Sequence, residues 1–153
     1  MVFLGACSPQ GGSPVSEQRA FLDEARALLT EGETALAIDL FTRAIASGES
    51  QVEARLERAK AHLSMGQLPQ AIEDLGRAIK LDPKKAEAYY YLGVAKARSN
   101  DLAGAIEAYG GAIGVQSDYV KAYANRAGIL GRQGKVKEAI TDCDTAIRLD
   151  PYN

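Results

Sequence analysis

The sequence predicts an all-α protein built from four helix–turn–helix units in tandem, and three observations lead to this prediction. Pairs of alanine and isoleucine recur every 34 residues, and turn-forming residues separate them at the same interval. Apolar residues make up 46% and charged residues 25% of the 153 residues, a balance that favours a packed fold over disorder.

The repeated motif places small and large apolar residues on one face of a helix. The pairs that begin each copy are Ala37-Ile38, Ala71-Ile72, Ala105-Ile106 and Ala139-Ile140. A second Ala-Ile pair follows seven residues later in every copy. Residues seven apart lie on one helical face after two turns, so each copy predicts a narrow apolar stripe against which a neighbouring helix can pack closely.

A second helix is predicted before each stripe. Between the two helices stand residue types that tolerate the left-handed backbone ending a helix: Gly32, Gly66, Asn100 and Gly134. Pro83 and Pro151 follow the stripes of two units, where proline prevents the helix from continuing. The units are therefore 18–51, 52–85, 86–119 and 120–153, in a domain spanning 17–153.

These units resemble tetratricopeptide repeats, a family with small residues at unit positions 8, 20 and 27 and a large apolar residue at 24. The residues at position 24 here are Phe41, Leu75, Tyr109 and Cys143. The resemblance covers nearly all of the chain after residue 16. It implies a right-handed superhelical solenoid whose first helices line a concave groove, and a function in binding another protein.

The resemblance also implies which side chains face the groove, namely those at positions 2, 5, 9, 12 and 13 of the first helices. The candidate partner-binding residues are Arg19, Leu22, Arg26, Glu53, Leu56, Lys60, Glu87, Tyr90, Val94, Lys121, Gly128 and Arg132. Leucines beside basic residues suit an amphipathic or extended peptide that carries some acidic groups. Tyr90 is the best single anchor, because tyrosine combines a large contact area with a polar tip. Leu29 and Leu63, at position 12, fit equally well a role in packing between units.

Two arginine–aspartate pairs are predicted within units. Arg58 and Arg126 stand at position 7, Asp74 and Asp142 at position 23, and the first and third units have neither residue type at these positions. Because both members occur together or not at all, we predict the pairs Arg58–Asp74 and Arg126–Asp142. Such pairs orient helices more than they stabilise them.

The composition argues against an enzyme and against nucleic acid as partner. The net charge of −2 gives no basic surface for a phosphate backbone. The sequence contains no nucleophile–base pair, metal-ligand cluster or glycine-rich phosphate loop, so we expect no catalysis, cofactor or metal. We interpret His62 and Cys143 as packed structural residues.

The first 16 residues do not fit the repeat. Leu4-Gly5-Ala6-Cys7 resembles the bacterial lipobox, in which the cysteine becomes lipidated, and Ser8–Ser16 has the composition of a flexible tether. Only Val2 and Phe3 stand between Met1 and this motif, without a basic residue, so a full signal peptide would have to begin upstream.

This motif leaves two hypotheses on location. In the first, a lipid on Cys7 anchors the domain in a bacterial envelope, where it serves in pilus, outer-membrane or wall assembly. Ser8 after the cysteine then implies the outer membrane, facing the periplasm. In the alternative, the chain is a cytosolic adaptor without lipid, and 1–16 is an inert leader.

Two further expectations concern the second half of the chain. We expect the helix around 136–149 to expose Ile140, Cys143 and Ile147. Two explanations are open: the native chain continues and covers this face, or two copies associate through it.

Four glycines fall within one helix, 102–115: Gly104, Gly110, Gly111 and Gly114. Since glycine costs roughly 1 kcal/mol relative to alanine within a helix, we predict that this helix is the least stable.

Overall fold

The computed structural model describes residues 14–48 and 51–152, with side chains from residue 21 onward. This part of the chain contains eight helices and no strand, which confirms the all-α prediction. The helices are α1 (Pro14–Glu31), α2 (Thr34–Ala46), α3 (Gln51–Ser64), α4 (Leu68–Leu81), α5 (Ala86–Arg98), α6 (Leu102–Val115), α7 (Val120–Arg132) and α8 (Val136–Leu149). They pair as α1–α2, α3–α4, α5–α6 and α7–α8, and each pair packs against the next.

The four residues expected to end the first helices all have the left-handed backbone. The φ angle is 86° at Gly32, 73° at Gly66 and 74° at Gly134. Asn100 takes the same conformation, with φ 66°, as the asparagine in this place predicted. Gly48 does so as well, with φ 93°, and follows α2 where that unit lacks a proline.

The first helix starts inside the segment assigned to the tether. α1 begins at Pro14, so residues 14–16 are helical. Proline suits the first turn of a helix, because its missing N–H needs no partner there. Residues 1–13, with Cys7 and the lipobox-like motif, lie outside the described part of the chain.

The apolar core consists of three clusters, and each is completed by the first helix of the following unit. Phe41 lies between α1, α2 and Ala54 of α3. Leu75 lies between α3, α4 and the alanines of α5. Tyr109 lies among side chains of α5, α6 and α7. Each unit is therefore stabilised by its neighbours, as in other solenoids.

The fourth unit differs, because in the described residues no helix covers α8. Cys143 occupies the position of Phe41, Leu75 and Tyr109, yet it is exposed. The interpretation of Cys143 as a packed residue is wrong for this reason, whereas the predicted exposure of Ile140, Cys143 and Ile147 on this helix is confirmed. His62 is half-buried, and its Nδ1 lies 2.6 Å from Oε1 of Gln67, which precedes α4.

Both predicted arginine–aspartate pairs are present. Arg58 donates from Nε and Nη2 to the two carboxylate oxygens of Asp74, each at 2.7 Å. Arg126 does the same to Asp142, at 2.7 and 2.8 Å. Asp74 also accepts from Nη1 of Arg55 at 3.3 Å, a partner that the fourth unit lacks. Each pair joins the first helix of a unit to its second.

Candidate protein-binding groove

An aromatic cluster forms the centre of the candidate groove. The ring of Tyr90 on α5 lies 5.2 Å from the ring of Tyr91 and 5.3 Å from that of Tyr119, which precedes α7. The ring of Tyr109, from α6, lies 5.9 Å away. Nδ2 of Asn125 on α7 donates to the Tyr90 hydroxyl at 3.2 Å. Helices of two units therefore fix one half-buried tyrosine in place.

An ion-pair network lies beside this cluster. Nζ of Lys60 on α3 lies 3.1 Å from Glu57 on the same helix and 3.4 Å from Glu87 on α5. The same ammonium sits 5.5 Å from the centre of the Tyr91 ring, within the range of a cation–π contact. This network connects the second and third units across the groove.

The charges within the groove differ from the expected basic flanks. Lys60 is shared by two carboxylates, and Arg26 pairs with Asp23 at 3.4 Å. Glu53, at the edge of α3, pairs with Lys85 at 3.2 Å. The basic charges expected to attract an acidic peptide are therefore already balanced in the first half of the groove.

The environment of the cluster changes the acidity of several groups. Burial raises the pKa of Tyr119 to about 12, and the charge of Glu87 adds to the effect. Burial likewise raises the pKa of Tyr109 to about 12. Burial lowers the pKa of Lys60, but its hydrogen bond to Glu57 and the nearby carboxylates outweigh this, so the pKa is raised overall. All three groups keep their neutral-pH state well into alkaline solution.

Two of the candidate groove residues do not reach the surface. Leu22 is 6% exposed and Leu56 is 2% exposed, and both are members of the apolar clusters between units. A partner cannot touch them, because packing of the next unit already uses these side chains. Leu63 is buried in the same way and Leu29 packs against a core, so for both the packing role is the one observed.

The remaining candidate groove residues differ in exposure according to the helix on which they lie. Val94 is half-buried and packs against two of the clusters. Lys121, Gly128 and Arg132 are exposed on α7. Within the described residues, Lys121 and Arg132 form no ion pair, unlike Arg126 of the same helix. Arg19 lies in α1, ahead of the residues whose side chains are described.

Four groove residues were missed by sequence reasoning: Glu57, Tyr91, Asn125 and Tyr119. The first three stand at unit position 6, next to the position assigned to the groove. Tyr119 stands at the last position of its unit, where the family pattern gives no signal. The run Tyr89-Tyr90-Tyr91 was the available sign of an aromatic surface.

A cavity of about 470 Å³ opens beside Tyr90, between α7 and α8. Lys121, Ala124 and Asn125 line its α7 side. Its α8 side is lined by Cys143, Ala146, Ile147 and Asp150. The groove surface is thus continuous with the exposed face of α8.

The described residues contain no group of three or more His, Cys, Asp or Glu side chains that could hold a metal ion. None of the helices in that part of the chain has both the length and the apolar character that a membrane span requires.

A solenoid of paired helices with a groove along its first helices is typical of repeat proteins that act as scaffolds for binding other proteins. A family model described as tetratricopeptide repeat matches residues 22–64 and 96–153, and one described as TPR repeat matches 59–100. The chain belongs to the tetratricopeptide repeat family. Members of this family are typically interaction scaffolds without catalytic activity.

Solved structures agree with this assignment. A crystal structure of MamA is 28% identical in sequence, with a TM-score of 0.78 over 83% of this chain and 74% of that one. A second MamA structure, from Desulfovibrio magneticus RS-1, is 21% identical, with a TM-score of 0.80 over 88% and 76% of the chains. YrrB, a TPR protein with an unusual peptide-binding site, is 19% identical, with a TM-score of 0.77 over 91% and 72%. No curated protein sequence matches significantly.

Proposed function

We propose that this chain is a scaffold that binds a peptide or helix of another protein across α3, α5 and α7, with Tyr90 as the anchor. The observation that carries the proposal is the fixed position of Tyr90, held by Asn125 and flanked by the rings of Tyr91 and Tyr119. A side chain already held in place loses little conformational entropy on binding.

The charges of the groove support a partner with a particular pattern. Around α3 and α5 the cations are balanced by carboxylates, so an apolar or aromatic residue of the partner fits best beside Tyr90. On α7, Lys121 and Arg132 are exposed and suit acidic groups of the partner. An amphipathic or extended segment with an apolar centre and an acidic end meets both conditions.

The test of groove binding is photocrosslinking in cells from a benzophenone amino acid placed at Glu53, at the rim of the groove. We expect one partner to be captured, and Tyr90→Ala to weaken its binding in vitro by at least about tenfold. Tyr152→Ala is the matched control, because that tyrosine is 99% exposed and has no ring contact with the tyrosine cluster. Equal affinity of the two variants would contradict the proposal.

The location belongs to the same proposal and is supported by sequence alone. The Leu4-Gly5-Ala6-Cys7 motif and the Ser/Pro/Gly-rich residues after it suit a domain held by a lipid on Cys7 at a bacterial outer membrane, facing the periplasm. Cells that express the gene with its native upstream region are labelled with a palmitate analogue. Label that is lost in Cys7→Ser supports the anchor. An unlabelled chain in the cytosolic fraction would favour the adaptor without lipid.

A further inference from the structure

The exposed face of α8 is the outer side of the last described unit. In units two and three, the equivalent residues lie under the first helix of the next unit: Ile72, Leu75 and Ile79, then Ile106, Tyr109 and Ile113. On α8, Ile140 is 55% exposed and Ile147 is 63% exposed. In the described residues, α8 therefore has the kind of apolar face that a helix covers in the other units, but no helix packs on it.

The apolar residues on this face have the spacing of a two-helix seam. Val136, Ile140, Cys143 and Ile147 follow one another at intervals of four, three and four, and all four are exposed. Alternation of three and four keeps side chains in line along one helix, so that each fits between residues of a facing helix. The face therefore matches another helix with the same spacing.

The residues beside the seam specify which helix fits. On one edge, Lys137 and Asp144 are exposed, seven residues apart and opposite in charge. On the other edge lie Ala139 and Ala146, which are half-buried on the side next to α7 and are small enough for close approach of two backbones. An antiparallel copy of α8 brings Lys137 opposite Asp144 of the second copy, and Asp144 opposite Lys137, while alanines face alanines. In a parallel pair the charged edge would face alanines instead.

We propose that two copies of this chain associate through their α8 helices, antiparallel about a two-fold axis near residues 141 and 142. At the other end of the solenoid, the side chains of α1 that are described, from residue 21 on, form no comparable face for this helix. The exposed side chains of α1 from residue 21 on include Asp23, Glu24, Arg26 and Thr30, so a head-to-tail contact would set polar groups against the isoleucines. The association is closed and stops at the dimer.

The proposed interface is small, and its size determines the protein concentrations at which the dimer can be observed. Each α8 has 14 residues, a length of about 21 Å. Two such helices bury less surface than a standard stable interface, so the dimer dissociates in the micromolar range. Sedimentation velocity of the full chain, carrying Cys7→Ser to remove the other thiol, is expected to show a monomer–dimer equilibrium that shifts with concentration.

Substitution on the seam tests the location of the interface. Ile140→Asp and Ile147→Asp are each expected to raise the dissociation constant by about a hundredfold or more, because each places two carboxylates in the contact. Leu36→Asp is the matched control, since Leu36 on α2 is also 55% exposed and lies outside the seam. It should leave the dimer intact.

Charge reversal tests the antiparallel register. Lys137→Asp and Asp144→Lys should each weaken the dimer by about tenfold, because each alters two symmetry-related contacts. The double variant should restore it, since opposite charges face each other again. A short bismaleimide should join the two Cys143 thiols near the axis, and Cys143→Ser should prevent this.

Each of the following results would overturn the inference. A chain that stays monomeric at several hundred micromolar would rule out association of two copies through α8. A dimer that survives Ile140→Asp lies elsewhere, and single reversals without effect, or a double variant without recovery, exclude the antiparallel register. Circular dichroism confirms that each variant is folded. The inference does not rest on partner binding in the groove, and the two tests use different residues.

Discussion

At the scale of single residues, the two arginine–aspartate pairs provide a matched comparison. The Asp142 side chain is 7% exposed and has Arg126 as its cation, whereas Asp74 accepts from both Arg58 and Arg55. Arg126→Met leaves a buried carboxylate unpaired and should lower the free energy of unfolding by about 3 kcal/mol. Arg58→Met should cost less, because Arg55 remains 3.3 Å from Asp74.

Urea unfolding measures both values. Arg126→Met combined with Asp142→Leu should recover most of the loss, because no charge is then left buried alone. A double variant less stable than Arg126→Met would contradict this account of the pair.

The tyrosine cluster predicts a loss of stability in alkaline solution. Tyr109 and Tyr119 have folded pKa values of about 12, above the value of about 10 in an unfolded chain. Their contribution is complete below pH 10 and is lost as pH rises towards 12, because the unfolded chain releases these protons first. Ultraviolet difference titration should show at least two of the seven tyrosines ionising late, and Tyr119→Phe should lower their number by one. Late ionisation of neither would contradict the burial of the cluster.

The two kinds of contact also differ in how far the sequence could predict them. Arg126–Asp142 was predictable, because the repeat sets position 7 against position 23 and these residue types occur together. The contact of Tyr119 with Tyr90 depends on side-chain rotamers and on a connecting segment outside the repeat pattern. The ion pair from Lys60 to Glu87 joins two units, so it depends on how the units stack.

At the scale of elements, α6 carries glycines with two different surroundings. A Cβ at Gly110 would lie 3.5 Å from the nearest atom, on Arg126, and one at Gly114 would meet nothing within 4 Å. A Cβ at Gly111 would lie 2.5 Å from the ring of Tyr89. Gly110→Ala and Gly114→Ala should each stabilise the protein by about 0.5 to 1 kcal/mol, whereas Gly111→Ala should destabilise it.

Thermal unfolding ranks these three variants, and hydrogen exchange compares α6 with its neighbours. We expect the amides of α6 to exchange faster than those of α4, and Gly114→Ala to slow them. Equal exchange in the two helices would count against the prediction that α6 is the least stable.

The positions of the helices followed closely from the sequence, because glycine, asparagine and proline fix where each one ends. α6 and α8 have the bounds predicted for them, Leu102–Val115 and Val136–Leu149. The start of α1 did not follow, since Pro14 lies in a segment rich in tether-like residues and also suits a first helical turn.

At the scale of the whole molecule, the cores shared between units predict which helices lose stability when one core residue is replaced. Leu75 is fully buried in the central cluster, which α3, α4 and α5 build together. Leu75→Ala should cost about 3 kcal/mol, and hydrogen exchange should rise in all three helices before it rises in α8. Leu36→Ala, at an exposed site, should change little. Loss of protection confined to α4 would contradict the sharing of this core.

The architecture followed from the repeat, but the surface available to a partner did not. Leucines at the groove position of two first helices proved to be buried, because the same spacing serves packing between units and display to solvent. Sequence spacing gives the direction of a side chain along its own helix. How deeply the next unit covers it depends on the stacking.

The completion of each core by the following unit makes the length of this chain adjustable. A copy of 86–119 inserted after residue 119 would present to α6 a first helix like the one that already covers α4, and would end in a face like the one that α7 now covers. Removal of 120–153 would instead leave Tyr109 as bare as Cys143 is here. Each inserted unit adds one apolar cluster and creates no new kind of surface. A chain with this repeat can therefore lengthen by duplication of a unit, without substitutions in the neighbouring units.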